Sequence, residues 1–292
     1  MKQPDDATIA HAIPALFVVL WSTGFIGMKY ALYDAEPFAL LAVRMVLALV
    51  VLGAWALWMR PVWPNRRGIA HSAVAGLLVH GFYLGGTAVA IAHSVPAGLS
   101  ALIPGLQPIL TSTLANRFLG ERVSGRQWIG LLLGVGGALT ILHDRPLGGD
   151  LGWGWLASGV SLVSITLGTL YQKRFCGGID WRAGNLVQYA VVAALFMLGS
   201  LLLETGHIDW TLRFVLSITW LAVVLTIGSI GLLYWLIRRT AATQVASMFY
   251  LVPATTALMA YVLFGERLDW ISIAGMIVCA GAVFLVSRPS HG

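Results

Sequence analysis

Apolar residues gather in ten long stretches along this chain, and polar residues collect in the short gaps between them. The stretches run roughly over 12–30, 38–58, 69–92, 97–116, 127–143, 153–172, 183–203, 214–236, 243–263 and 271–287. Most approach the ~20 residues that a helix needs to cross ~30 Å of hydrocarbon. Helix is the expected form, because lipid offers open backbone groups no partner. A β-barrel would show ~10-residue alternating segments, whereas these runs are continuous. Nine short gaps and two tails leave no room for a soluble domain. The first stretch follows the polar residues Met1–His11 and lacks an obvious small-residue cleavage site, so it is expected as a retained helix.

The ten stretches fall into two related sets of five. Pro108, Gly120, Glu121, Arg122, Gly130 and Gly136 recur 145 residues later as Pro253, Gly265, Glu266, Arg267, Gly275 and Gly281. Gly24 and Lys29 recur at an offset of 144 as Gly168 and Lys173. In a lipid-soluble chain such duplication suggests a transporter built from two halves. The expected units are residues 1–147 and 148–292.

Composition supports the membrane reading. Charged residues make up 10% of the chain and hydrophobic residues 58%, with a mean hydropathy of +0.83. A soluble domain carries about 25% charged residues. The net charge of +6 reports topology once its distribution is counted. With the N-terminus placed in the cytoplasm, the inner side holds Lys2, Arg60, Arg66, Arg67, Arg117, Arg122, Arg126, Lys173, Arg174, Arg182, Arg238, Arg239 and Arg288. The outer side holds Lys29, Arg145, Arg213 and Arg267, and Arg44 lies within a helix. The positive-inside rule selects this orientation, which argues against a nucleic-acid partner. Asp34, Glu36, Asp144, Asp150, Glu204, Asp209, Glu266 and Asp269 lean to the outer side. Five helices per half is an odd number, so the second half enters from the opposite face. The repeat is therefore inverted. Trp58, Trp63, Trp128, Trp153, Trp181, Trp210 and Trp270 fall where interfacial belts are expected. The expected fold is an all-α integral membrane protein of ten helices in two inverted five-helix repeats.

Several segments carry a resemblance. Leu20-Trp21-Ser22-Thr23-Gly24-Phe25-Ile26 opens the first helix, and Pro37 and Arg44 follow near the second. Phe118-Leu119-Gly120-Glu121-Arg122 and Leu263-Phe264-Gly265-Glu266-Arg267 close the fourth and ninth. Together they resemble the EamA-type branch of the drug/metabolite transporter superfamily. The resemblance implies alternating access and export of small metabolites such as amino acids across a bacterial inner membrane. Exporters of aromatic amino acids, of threonine and homoserine, or of cysteine belong to that range.

The candidate chemistry is sparse. His80 stands near the middle of the third stretch with Tyr83 at i+3 on the same face. It serves a substrate carboxylate, carries a proton, or bonds a neighbouring helix, since intramembrane ionisable groups are functional hypotheses by default. Arg44 either meets an anionic group or snorkels and pairs with Glu36 or a carbonyl. Trp21, Gln107, Tyr171, Gln188, Tyr189, Gln244 and Tyr250 are further cavity candidates, able to orient a zwitterion or wall a pocket. Pro104, Pro108 and Pro253 remove backbone donors, so their helices are expected to bend or break as hinges or cavity walls. Glu121, Arg122, Glu266 and Arg267 sit at helix ends, where they cap helices or act as gates. Gly130-x-x-x-Gly134 and Gly81-x-x-x-Gly85 read as helix-packing spacings.

Absences narrow the field. Cys176 and Cys279 show no metal-ligand or disulfide spacing, and no cofactor motif, P-loop or nucleophile elbow is present. No Asp or Glu lies mid-helix, which counts against a proton/cation drug antiporter. The reading is a secondary transporter exporting small metabolites, foremost amino acids, working as a monomer in the bilayer without a cofactor. The alternatives are a proton-coupled metabolite antiporter, an intramembrane enzyme and a lipid-handling membrane protein.

Overall fold

A computed structural model describes residues 6–93, 95, 97–120, 123–141, 152–264 and 269–287. Glu121, Arg122, Glu266 and Arg267, the helix-end candidates, lie outside the described residues. Among the described residues the helices form ten rods. They are α1 (Asp6–Ala31), α2 (Pro37–Met59), α3 (Arg66–Gly76 and Tyr83–Ala92), α4 (Ala97–Leu119) and α5 (Gly125–Ile141), then α6 (Trp153–Phe175), α7 (Trp181–Leu203), α8 (Leu212–Thr219 and Ile230–Arg239), α9 (Ala242–Ser247 and Leu251–Phe264) and α10 (Trp270–Ser287). Seven are long and apolar enough to cross a membrane, and Trp270–Val286 is a shorter apolar helix. The rods form a multi-pass bundle of two inverted five-helix repeats. Leu57, Trp58, Leu201, Leu202, Val262 and Trp270 stand exposed on its outside, as lipid contact requires.

Three rods are irregular, and two of them match across the repeat. The halves of α3 are joined by π-helical Leu77–Phe82, and those of α8 by π-helical Trp220–Ser229. Shifted by 145 residues, the first falls inside the second. Nothing in the apolar pattern announces either π-segment; such segments are frequent at functional sites. The third irregularity is in α9, where a 3-10 turn, Met248–Tyr250, precedes Pro253. Pro253 offers no N–H to the preceding turn, so the break falls where the sequence places it. Pro104 and Pro108 behave differently: α4 runs through both as one α-helix.

Small residues set the pseudo-two-fold packing. A Cβ on Gly24 would stand 3.1 Å from Leu225 of the α8 π-segment. Its repeat partner Gly168 stands in the same relation to Val79 of the α3 π-segment, at 2.6 Å. Between α5 and α10 the approach is mutual. A Cβ on Gly137 would meet the Gly275 carbonyl at 2.8 Å, and one on Gly275 the Gly137 carbonyl at 2.7 Å. The repeated pair Gly136 and Gly281, by contrast, faces open space.

Polar clasps tie α2 to α7 at both ends. At the acidic end Asp34 pairs with Arg213 at 2.6 Å, and Ala35 bridges to Ile208. Glu36 accepts from the His207 N–H at 3.0 Å and the Thr205 hydroxyl at 3.1 Å. Glu204 caps α2 by accepting from the Phe38 and Ala39 N–H groups. At the basic end Asp180 accepts from the Val62 N–H at 3.3 Å and pairs with Arg182. Glu36 and Asp180 correspond at an offset of 144, and His207 and Val62 at 145, so one clasp is the inverted image of the other. The hydrogen bond from Arg213, more than the opposing burial, holds the Asp34 carboxyl below the usual range. Burial works against Glu36, but the His207 and Thr205 N–H groups outweigh it and lower its value.

Candidate functional site

A cavity of about 50 Å³ lies among α1, α2, α3, α7 and α8. Both π-segments reach it, through Val79 and His80 on one side and Leu225 and Ser229 on the other. A π-turn displaces the residues around it by one position relative to an α-helix. At the repeat offset of 145 His80 corresponds to Leu225 and Leu84 to Ser229, and all four line the cavity. The volume holds a few waters and falls well short of the ~300–1,000 Å³ of ordinary ligand clefts.

Arg44 is the one charged side chain lining that cavity. It is 6% exposed, its Nε has no hydrogen-bond partner, and no carboxylate lines the cavity with it. The expected pairing with Glu36 does not occur, because Glu36 is committed to the acidic-end clasp. Nor does Arg44 snorkel to the surface. A buried, unneutralised guanidinium is costly, and it offers planar donors that suit a carboxylate or phosphate.

His80, Tyr83, Trp21 and Tyr189 surround the same space. The His80 ring centre is 4.8 Å from that of Tyr189, and its Nε2 has no partner although Asn185 adjoins it. Trp21 donates its indole N–H to the Tyr83 hydroxyl at 3.2 Å. The Tyr83 carbonyl in turn accepts from Thr87 and Ser161. Phe17 and Trp21 both meet Phe249 of the α9 3-10 turn edge to face. The cavity therefore has one cationic wall, one aromatic wall and a histidine between them.

The remaining sequence candidates scatter. Gln107 is buried on α4 and donates to the Thr169 hydroxyl at 3.1 Å, away from the cavity lining. Tyr250 donates to the Leu131 carbonyl at 2.8 Å, and its ring presses on Gly134 of α5. It holds helices together and does not face the cavity. Tyr171 bonds His71 at 2.8 Å near the basic end, and the half-buried Gln244 sits at the start of α9. Gln188 points into a second polar cluster, with Tyr234 and Gln172. Asn185, Gln172, Tyr234, Ser72 and Ser229 are buried polar residues that sequence reasoning passed over. One signal was available: Asn185, Gln188 and Tyr189 share a helix face at i, i+3 and i+4.

Comparison with known proteins places the chain. Residues 9–143 and 152–288 each match the EamA-like transporter family. A probable amino-acid metabolite efflux pump of Salmonella typhimurium is 28% identical over 280 residues, covering 92% of each chain. YedA, an inner membrane transporter of Escherichia coli K12 known only as such, is 25% identical over 276 residues, 94% of this chain and 89% of its own. A solved crystal structure with 20% identity superposes with a TM-score of 0.75 over 94% of this chain and 96% of its own, a likeness of fold alone.

Proposed function

The chain belongs to the EamA-like transporter family, and from that premise we propose that it exports amino acids or closely related carboxylates from the cell by alternating access. The observation that carries this reading is Arg44, buried in a central cavity that no carboxylate lines among the described residues. A substrate carboxylate supplies the missing charge, and charge-assisted pairs of this kind are the stronger hydrogen bonds. Tyr83, Tyr189 and Trp21 provide aromatic faces for a side chain or an ammonium group, and His80 offers its free Nε2. The likeness to the probable amino-acid metabolite efflux pump of Salmonella typhimurium supports the substrate class.

The two π-segments suit a site that must open in turn to each face, because they are the places where α3 and α8 depart from regular hydrogen bonding. The repeat boundary is proposed between residues 147 and 148. The chain is proposed to lie in the inner membrane as a monomer, with the arginine-rich end and both termini on the cytoplasmic side.

Proteoliposomes loaded with a mixture of radiolabelled amino acids test the reading. The expected result is release of at least one of them, reduced by His80→Ala without loss of folded protein. Folded protein that moves none of the mixture would overturn it.

A further inference from the structure

On the basic-end side of the Arg44 cavity lies a second group of buried polar side chains that the central site does not use. Ser72 of α3, Gln172 of α6, Asn185 and Gln188 of α7 and Tyr234 of α8 are all buried, and Asn185 is 0% exposed. All sit near the basic ends of their helices, within about two turns of Arg66, Phe175, Trp181 and Arg239. The group is partly knit together. Gln188 donates to the Tyr234 hydroxyl at 2.5 Å and reaches Gln172 Oε1 at 3.5 Å. Asn185 adjoins His80, which joins the group to the central cavity.

Its remaining valences are open. Gln188 Oε1, Gln172 Nε2 and Ser72 Oγ are buried without a hydrogen-bond partner, and the Asn185 amide has none apart from its contact with His80. Buried polar atoms in proteins are overwhelmingly paired, and the cost of leaving one unpaired is higher where lipid surrounds the bundle. The open atoms gather where three helices, α3, α6 and α7, meet. Small residues bring the helices together here: a Cβ on Gly76 would stand 2.7 Å from the Gln188 Cα, and one on Gly184 3.5 Å from Ser72 Oγ. The complement of groups is also informative. It holds open donors and open acceptors together, and no formal charge. Turning over either amide leaves one donor and one acceptor per side chain. That set fits a zwitterion, whose carboxylate takes the donors and whose ammonium takes the amide oxygens.

We propose that Ser72, Gln172, Asn185, Gln188 and Tyr234 form a second binding station, which holds the zwitterionic head of an amino acid between the basic end of the bundle and the Arg44 cavity. The station rests on the proposed transport of amino acids. It adds a neutral stop before the cationic one, so the substrate sheds its water against amides and then presents its carboxylate to Arg44. His71 and Tyr171, hydrogen-bonded to each other at 2.8 Å and half-buried, are the chain neighbours of Ser72 and Gln172.

Two measurements in the same proteoliposomes test it, with the radiolabelled amino-acid mixture as probe. In a background with Cys176→Ala and Cys279→Ala, Asn185→Cys should react with a membrane-impermeant methanethiosulfonate reagent from the basic-end face alone. The mixture should slow that reaction severalfold. Gln188→Leu should raise KM about tenfold for substrate offered at the basic-end face, with little change at the other. Reaction from the acidic-end face, absence of reaction, absence of protection, or an equal KM change on both faces would overturn the station. A parent protein that moves none of the mixture would instead overturn the transport reading, and the station with it. An active parent with an unreachable Asn185→Cys sinks the station alone.

Discussion

Arg44 shows how much a single side chain depends on what its neighbours are already doing. Sequence alone offers Glu36 as its partner, eight residues away. The structure spends Glu36 on the His207 N–H and the Thr205 hydroxyl, which leaves Arg44 for the cavity. Replacing it separates the structural and binding roles. Arg44→Gln removes a charge-assisted contact worth about 1.5–3 kcal/mol, so transport efficiency should fall about ten- to a hundredfold. Burying a neutral amide in place of an unpaired guanidinium should leave thermal stability equal or higher. Arg44→Lys keeps the charge but loses the planar fork, and transport should fall between the two. A large drop in melting temperature for Arg44→Gln, with no change in transport efficiency, would assign Arg44 to the scaffold. His80 is the counter-example, since its depth was evident from its place in the third apolar stretch. What the sequence could not supply was its register. The π-turn at Leu77–Phe82 sets the direction in which it points.

At the scale of elements, the glycines that recur do not all do the same work. Gly275 lies against backbone: a Cβ there would meet the Gly137 carbonyl at 2.7 Å and the Ile141 N at 2.9 Å, and neither can rotate away. Gly275→Ala should therefore push α5 and α10 apart and cost about 1–3 kcal/mol, read as a lower melting temperature in detergent. Gly136→Ala faces open space and should be neutral or slightly stabilising, since alanine is the better helix former. Equal effects from the two substitutions would refute the packing account. The sequence showed the ten helices, their two-fold repeat and the small-residue spacings, because hydrophobic length and glycine placement are local properties. It marked the break before Pro253 for the same reason. It could not show the π-segments of α3 and α8, nor that α4 absorbs Pro104 and Pro108 without a break, because those outcomes are decided by partners on other helices. The amide cluster stayed hidden for a related cause. Ser72, Gln172, Asn185 and Tyr234 are far apart in the chain and meet only when α3, α6, α7 and α8 pack.

The whole molecule sets the question of which parts move. Both clasps between α2 and α7 are closed in one conformation, although they lie at opposite ends of the bundle. An alternating gate would have one end open while the other is shut. We predict that the clasps act as ties that keep α2 and α7 together, and at the acidic end the start of α8 through Arg213, leaving motion to α3, to the part of α8 beyond its π-segment and to the neighbouring rods. Their charge chemistry gives a pH signature. Asp34 and Glu36 have values below the ordinary 3.8 and 4.5, so their stabilising effect is complete above pH ~4.5 and is lost as pH falls through the lower folded values. The melting temperature in detergent should decline below pH ~4, and Asp34→Asn with Glu36→Gln should flatten that decline; an unchanged slope would remove the clasp from the account. The tie itself is tested by locking it. Ala35 and Ile208 face each other across the antiparallel bridge, where Cβ atoms stand about 4.5–5.5 Å apart, near enough for a disulfide after small adjustment. Ala35→Cys with Ile208→Cys, oxidised in the background lacking Cys176 and Cys279, should transport within about twofold of its reduced form. Loss of transport on oxidation, restored by reduction, would mean that the acidic end opens at this very contact and that α2 and α7 part during the cycle.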